Sequence, residues 1–162
     1  MIDIKLQLNT EQLAEYKQTA ITHILKNKEL VEMLAPDVEI DELPYRNIFP
    51  YGKIVGTTDE ARAYINIEVD MTTTSASLRG DNSYFKEYMI TFTIVVHDTL
   101  MKTDMGVNRM DALSIALEKM FSEQKLLGVK ELELVSNQEG VWTERHSYRQ
   151  LRFRILDVKR RC

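Results

Sequence analysis

The stretch from Lys86 to His97 alternates between apolar and mixed residues, and this alternation constrains the fold more than any other feature. One side of the stretch is entirely apolar: Tyr88, Ile90, Phe92, Ile94 and Val96. A period of two, with β-branched and aromatic residues, is typical of a half-buried strand. Residues 107–121 then predict an amphipathic helix. Its apolar stripe is Met110, Leu113, Leu117, Met120 and Phe121. One apolar side on the strand and one on the helix together predict a two-layer core.

The residues before this unit predict an arm and two helices. Residues 2–8 alternate between apolar and polar side chains, which predicts a short strand or an extended arm. Apolar residues at helical spacing predict a helix up to Lys26 and a shorter helix over residues 28–34, and Pro36 ends the second one.

Three further strands are predicted, over residues 63–70, 131–135 and 148–158. In the last strand we expect Leu151, Phe153 and Ile155 to face the core, with Arg152 and Arg154 facing out. The polar run 137–140 indicates a turn or a linker, and Gly128 is expected to close the helix that begins near Arg109. The polar residues 71–83 predict a long exposed hairpin loop.

The composition is that of an ordinary soluble domain. The 162 residues are 44% hydrophobic and 28% charged, and none of the apolar runs is long enough to span a membrane. We therefore expect a single domain over residues 1–162: an N-terminal arm with helices over 1–36, and a sheet-and-helix core over 43–158. The one cysteine, Cys162, excludes an intrachain disulfide and fits a reducing compartment.

The charge is unevenly placed along the chain. Residues 144–162 contain seven basic and two acidic residues, so they carry +5 while the remaining chain carries −9. Such asymmetry can steer an acidic partner to one end of the molecule. The alternative is that these arginines simply line an exposed strand face. Because the whole chain is acidic, we do not expect sequence-specific binding to nucleic acid.

The residues give no support for catalysis. The three histidines, His23, His97 and His146, have no second ligand at metal-binding spacing. His97 next to Asp98 is a weak acid–base pair without a third group. There is no glycine-rich phosphate loop, and we expect no catalytic, cofactor or metal site.

Several segments together resemble tail terminator, or tail completion, proteins of long-tailed bacteriophages, which cap the tail tube and join it to the head. The resemblance covers residues 43–158. The segments that carry it are residues 46–50, residues 92–97, Leu100-Met101, Gly106 and residues 109–113. It implies an α+β fold with a mixed, mainly antiparallel sheet packed against helices. It also implies a sixfold ring without enzymatic activity, located in the virion tail and assembled in the host cytoplasm, whose partners are the tail tube protein and the head–tail connector protein.

A ring needs contacts between different patches of neighbouring subunits. The expected contact residues are the apolar loop residues Phe49, Tyr51, Leu100 and Met101, the long-loop residues Leu78 and Arg79, and the last-strand residues Arg149, Arg152 and Arg154. Two alternatives stay open at this point. One is a monomeric adaptor that recruits an acidic protein, and the other is a small enzyme that uses His97 and Asp98.

Overall fold

The computed structural model describes residues 9–54, 60–72, 85–122, 124–128 and 130–158. The elements in chain order are α1 (Asn9–Leu25), α2 (Lys28–Leu34), β1 (Ile48–Phe49), β2 (Ala63–Thr72), β3 (Phe85–His97), α3 (Arg109–Phe121), β4 (Glu133–Thr143) and β5 (His146–Val158). Two short 3₁₀ helices lie at Ile40–Glu42 and Asp98–Leu100. The arm predicted over residues 2–8 and most of the loop predicted over 71–83 lie outside the described residues.

The strands form one sheet in the order β1-β2-β3-β5-β4. Strand β1 is parallel to β2, and all other neighbours are antiparallel. The predicted α+β class with a mixed, mainly antiparallel sheet is confirmed. Strand β3 lies in the middle and pairs with β2 on one side and β5 on the other.

The core lies between one face of the sheet and the helices. Ile90, Phe92 and Ile94 of β3 are fully buried, as their alternation predicts. The Phe92 ring stacks against Phe121 of α3, with centroids 4.6 Å apart, and meets the edge of Phe153 of β5 at 6.0 Å. This aromatic cluster joins β3 and β5 to α3. Burying each ring contributes about 1.5–3 kcal/mol of hydrophobic free energy.

Helix α3 begins with a side-chain cap and ends earlier than predicted. Asn108 accepts a hydrogen bond from the backbone N–H of Asp111 at 2.8 Å, which satisfies a free donor of the first turn. The chain becomes extended at Ser122, so the expectation that Gly128 closes the helix is wrong. Gly128 instead has φ +72°, and a Cβ there would lie 2.3 Å from the Leu156 carbonyl oxygen. Glycine is required because β5 passes this close.

Strand β4 is longer than predicted, and the turn predicted at residues 137–140 is wrong. These residues pair with Tyr148–Leu151 inside the β4–β5 hairpin, and the turn lies instead between Thr143 and His146. Polar residues are tolerated here because β4 is an edge strand whose side chains are mostly exposed. Register shifts interrupt the pairing between Leu134 and Ser136 and between Val141 and Thr143.

A buried polar network fixes the start of α1 to the sheet. The Gln12 amide nitrogen donates hydrogen bonds to Tyr16 Oη at 2.8 Å and to Asp157 Oδ2 at 2.7 Å. Tyr16 Oη also donates to Asp157 Oδ2, and Tyr88 Oη donates to Gln12 Oε1 at 2.8 Å. All four side chains are buried. The network therefore ties α1 to β3 and to the end of β5.

Candidate functional site

Of the apolar loop residues expected at the surface, Phe49 is buried, so its expected exposure is wrong. Its ring meets the edge of Tyr64, with centroids 5.8 Å apart, in a small second cluster on the sheet face away from the helices. Val95 belongs to the same cluster. Tyr51 is exposed as expected and touches the edge of Phe49 at 5.7 Å.

Leu100 and Met101 are also less available than expected, because both are partly buried against the main core. Arg109 donates hydrogen bonds to the backbone carbonyls of both residues. Its Nε donates to the Leu100 carbonyl at 2.7 Å, and its backbone N–H donates to the Met101 carbonyl at 2.8 Å. Its guanidinium also donates to the Met33 carbonyl at the end of α2. The connector between β3 and α3, residues 98–108, therefore packs against the core at Leu100 and Met101. Leu78 and Arg79 lie outside the described residues.

Arg149 points to the helix side of the sheet and forms ion pairs with residues of its own chain. Its guanidinium pairs with Asp111 of α3 at 3.0 Å and with Glu139 of β4 at 2.8 Å. It also donates to Asn137 Oδ1 at 2.9 Å. These contacts fasten α3 to the β4–β5 hairpin, which is an intrachain role.

Arg152 and Arg154 lie on the opposite face, while Leu151, Phe153 and Ile155 are buried, as predicted. Arg154 pairs with Glu87 at 2.7 Å and with Glu133 at 3.1 Å. Arg152 is exposed and makes no ion pair with any described residue. In this strand the charge open to a partner is therefore smaller than the sequence suggests.

Both edges of the sheet carry exposed apolar side chains. Ile54 follows the edge strand β1 by five residues and is 70% exposed, and the carbonyl of Lys53 before it accepts a hydrogen bond from Asn66 of β2 at 2.9 Å. At the other edge Val141 of β4 is 77% exposed. Strand β4 pairs only with β5 among the described strands, so the hydrogen-bonding groups on its outer side are available to another chain. Neither Ile54 nor Val141 was among the surface residues predicted from the sequence, and Val141 directly follows residues 137–140, which were predicted to form a turn or a linker.

A third apolar surface, which we call the methionine groove, is an open cavity of about 370 Å³ between α2, α3 and the connector before α3. Its apolar lining includes Met33, Met105, Val107, Ala112, Ile115 and Met120. Met105, Val107 and Ile115 are exposed although they are apolar. Glu29 and Lys119 also line it. The groove was not predicted from the sequence, because Met105 stood before the predicted helix and Val107 inside it, and no local pattern showed that they meet α2.

The histidines expected to be structural form a pair. His97 and His146 are direct partners of β3 and β5. The Nδ1 atom of His97 accepts from the Thr99 backbone N–H at 3.2 Å, so it caps the 3₁₀ helix Asp98–Leu100. His146 is buried, and its Nδ1 lies 2.7 Å from Thr143 Oγ1. Burial and the neighbouring His97 lower the pKa of His146, and Asp98 opposes this in part.

Neither a metal cluster nor a membrane helix is found in the part of the chain that the structure describes. Among those residues, histidine, cysteine and carboxylate side chains do not converge in groups of three or more. The described helices are also too short or too polar to cross a bilayer.

The comparisons with known proteins point to phages. No curated protein matches the chain. The model of the YomW family, a phage-derived family, matches residues 19–155, which include the last seven residues of α1, all of α2 and α3, and all five strands up to Ile155. The chain therefore belongs to the YomW family and is a phage protein.

Proposed function

We propose that this phage protein is a structural, non-enzymatic component of the virion that closes into a ring on the tail tube and joins it to the head connector. The resemblance of residues 43–158 to tail terminator proteins supports this proposal. Its partners are further copies of itself, the tail tube protein and the head–tail connector protein. It is assembled in the host cytoplasm and ends in the tail of the virion.

The observation that carries the proposal is the difference between the two edges of the sheet. The segment that follows the edge strand β1 carries the exposed Tyr51 and Ile54, whereas the edge strand β4 is long and carries the exposed Val141. The two edges lie at opposite sides of the sheet. A contact between unlike patches is heterologous, and it closes a ring when the rotation between subunits allows it.

The arginines of β5 differ in whether they are available to a partner protein. Arg149 and Arg154 are paired within the chain, so neither is the first choice for an acidic neighbour. Arg152 is exposed and lies on the face that the described helices leave open. We assign to Arg152 the contact with an acidic group of the tube or the connector.

Solution mass tests the proposal. We expect light scattering and negative-stain micrographs to show a discrete ring, either of the protein alone or after addition of the tail tube protein. Ile54→Asp and Val141→Asp place a charge at each edge and should each weaken assembly at least tenfold, since a desolvated unpaired charge costs more than about 1.4 kcal/mol. Ile40→Asp is the matched control, because Ile40 is exposed but lies outside the sheet.

A strict monomer at all concentrations, with no ring on the tube or the connector, would contradict the proposal. A monomer that captures an acidic protein through Arg152 would instead identify an adaptor. His97→Ala tests the enzyme alternative: loss of the cap on residues 98–100 should lower stability, and only a defined turnover that it abolishes would indicate catalysis.

A further inference from the structure

A second cavity, which we call the arginine cavity, lies where the end of α2, the residues before β1 and β2, and the start of α3 meet. Its volume is about 200 Å³, and its charged and amide side chains are Asp37, Arg46, Asn47, Glu60, Arg62 and Arg109. The three arginines come from three different segments, so the fold brings them to one place. Small-molecule sites typically measure about 300–1,000 Å³, so this smaller cavity suits a single side chain.

The arginines of this cavity are weakly paired within the chain. The Arg62 guanidinium lies 3.7 Å from the Glu60 carboxylate and 3.5 Å from the Arg46 carbonyl oxygen, which are both long contacts. Arg46 pairs with Glu42 at 3.3 Å between exposed groups. Arg109 donates to backbone carbonyls and makes no ion pair with a described residue. Each guanidinium has five N–H donors, so donors remain for a further acceptor.

The lining of the cavity is positively charged. Three arginines against two carboxylates leave a net charge of +1. Asp37 and Glu60 are exposed, whereas the three arginines are half-buried. Water and salt therefore screen the carboxylates more than the guanidinium groups. The cavity consequently favours an anion.

Asn47 adds a buried acceptor to the wall of the cavity. The residue is 3% exposed, and its Nδ2 donates to the Ala63 carbonyl at 2.8 Å. Its Oδ1 is buried and has no hydrogen-bond partner, and the same is true of Arg62 Nε. Most buried polar atoms have a partner, because leaving one unsatisfied is costly. A ligand that suits this wall therefore carries an N–H donor beside its negative charge.

The turn before β1 fixes the positions of Arg46 and Asn47. Their backbone N–H groups both donate to the Leu43 carbonyl, at 3.1 and 2.9 Å. Tyr45, which precedes them, has φ +63°, a conformation that residues other than glycine rarely adopt. Such a conformation persists only where the surrounding structure enforces it. This side of the cavity is therefore set before a ligand binds.

From these observations we propose that the arginine cavity binds a glutamate or aspartate side chain in a peptide segment of another protein. Arginine donors match the two oxygens of a carboxylate in geometry and charge. A peptide also has backbone N–H groups next to that carboxylate, and one of them can donate to Asn47 Oδ1. A free dicarboxylate has no such donor at neutral pH. This inference goes beyond the proposed function, which places its acidic contact at Arg152, and it does not depend on a ring.

Fluorescence anisotropy with two labelled peptides tests the proposal in the full-length chain. One peptide has two glutamates between glycines, and the other has glutamines in their place. The wild type should bind the glutamate peptide at least tenfold more tightly, and added salt should weaken this binding. Arg62→Met should weaken it by about tenfold or more, because a hydrogen bond between charged groups is lost. The control is Arg145→Met, which removes the same charge from an exposed residue outside the cavity and should leave the affinity unchanged.

Equal affinity for the two peptides, or equal losses in Arg62→Met and Arg145→Met, would overturn the proposal. Circular dichroism checks the fold of each variant, and Arg46→Met, with the same expected loss, decides the question if Arg62→Met does not fold.

Two further arms identify what the cavity holds. Glutarate is a free carboxylate without an N–H donor, and it should compete much less well than the unlabelled glutamate peptide. Equal competition would overturn the assignment to a peptide. Asp59 lies next to Glu60 in sequence but outside the described residues. Asp59→Asn should leave peptide binding unchanged, and tighter binding in that variant would overturn the proposal, because the chain's own carboxylate would then be the occupant.

Discussion

His97 and His146 face each other across β3 and β5, with ring centroids 4.9 Å apart and planes at 85°. Because the folded protein lowers the pKa of His146 below its ordinary value of 6.5, the unfolded chain binds protons more readily in mild acid. This contribution to stability is fully present well above pH 6.5 and is lost as the pH falls below it. Urea unfolding at several pH values should show this slope.

His146→Asn tests the origin of that acid slope. The variant should be less stable at neutral pH but should lose less of its stability on acidification, because the titrating ring is absent. His23→Asn on α1 is the control and should keep the full slope. Equal slopes in the wild type and His146→Asn would show that another group is responsible.

Tyr16 and Tyr88 offer a matched pair of hydroxyl deletions. Tyr16 donates to the Asp157 carboxylate, whereas Tyr88 donates to the neutral Gln12 amide. Hydrogen bonds to charged groups contribute about 1.5–3 kcal/mol and neutral ones about 0.5–1.5 kcal/mol. Tyr16→Phe should therefore lower the free energy of unfolding more than Tyr88→Phe does. A reversed order in denaturant titrations would mean that the network is not centred on Asp157.

The same network predicts loss of stability in alkali. Burial, followed by the hydrogen bond to Asp157, raises the pKa of Tyr16, and burial raises the pKa of Tyr88 above its ordinary value of 10. A raised pKa means that the folded state holds the phenol proton more tightly than the unfolded state does. The contribution is complete below pH 10 and is lost as the pH rises above it. Phenolate absorbance should show that Tyr16 and Tyr88 titrate late, and the late-titrating fraction should fall by one tyrosine in either phenylalanine variant.

Gly128 and Gly106 both have positive φ but differ in their surroundings. A Cβ at Gly128 would meet the backbone of β5, whereas a Cβ at Gly106 meets nothing within 4 Å. Gly106→Ala should cost only the backbone strain, about 1–2 kcal/mol. Gly128→Ala should cost about 1–3 kcal/mol more, because β5 must move. Thermal unfolding compares the two, and similar losses would show that β5 yields without cost at this point.

Arg149 and Arg152 separate structure from recognition within one strand. Arg149→Met removes the pairs with Asp111 and Glu139 and should lower stability by about 1 kcal/mol, because these pairs are partly exposed. Arg152→Met should leave stability within about 0.5 kcal/mol, since it is an exposed residue without an ion pair among the described residues. It should instead weaken binding to the tube or the connector. The opposite pattern would exchange the two roles.

The elements with strong periodicity could be predicted from the sequence. Strand β3 and helix α3 were recognisable because their apolar positions repeat with the period of the element. Strand β4 was missed beyond Val135, because its polar residues carry no alternation and pairing with β5 determines its structure. The end of α3 was missed because Leu126 and Leu127 continue the apolar composition after the helix has stopped.

The surface was harder to predict than the core. Phe49 looked like a loop aromatic, but Tyr64 and Val95, from two other strands, surround it. Arg149 binds Asp111, which lies 38 positions earlier in the chain, and a local sequence pattern does not reveal such a contact. The same holds for Gln12 and Asp157, and for the groove that unites α2 with Met105.

The position of β5 has a consequence for synthesis. It comes last among the described strands, yet it lies between β3 and β4 and supplies Phe153 to the aromatic core. While residues 146–158 are still inside the ribosome, β3 lacks its partner on one side and β4 lacks the one strand it pairs with among the described strands. Pairing between segments distant in sequence is slow. A nascent chain of this protein therefore keeps one side of β3 without its strand partner until β5 has left the ribosome.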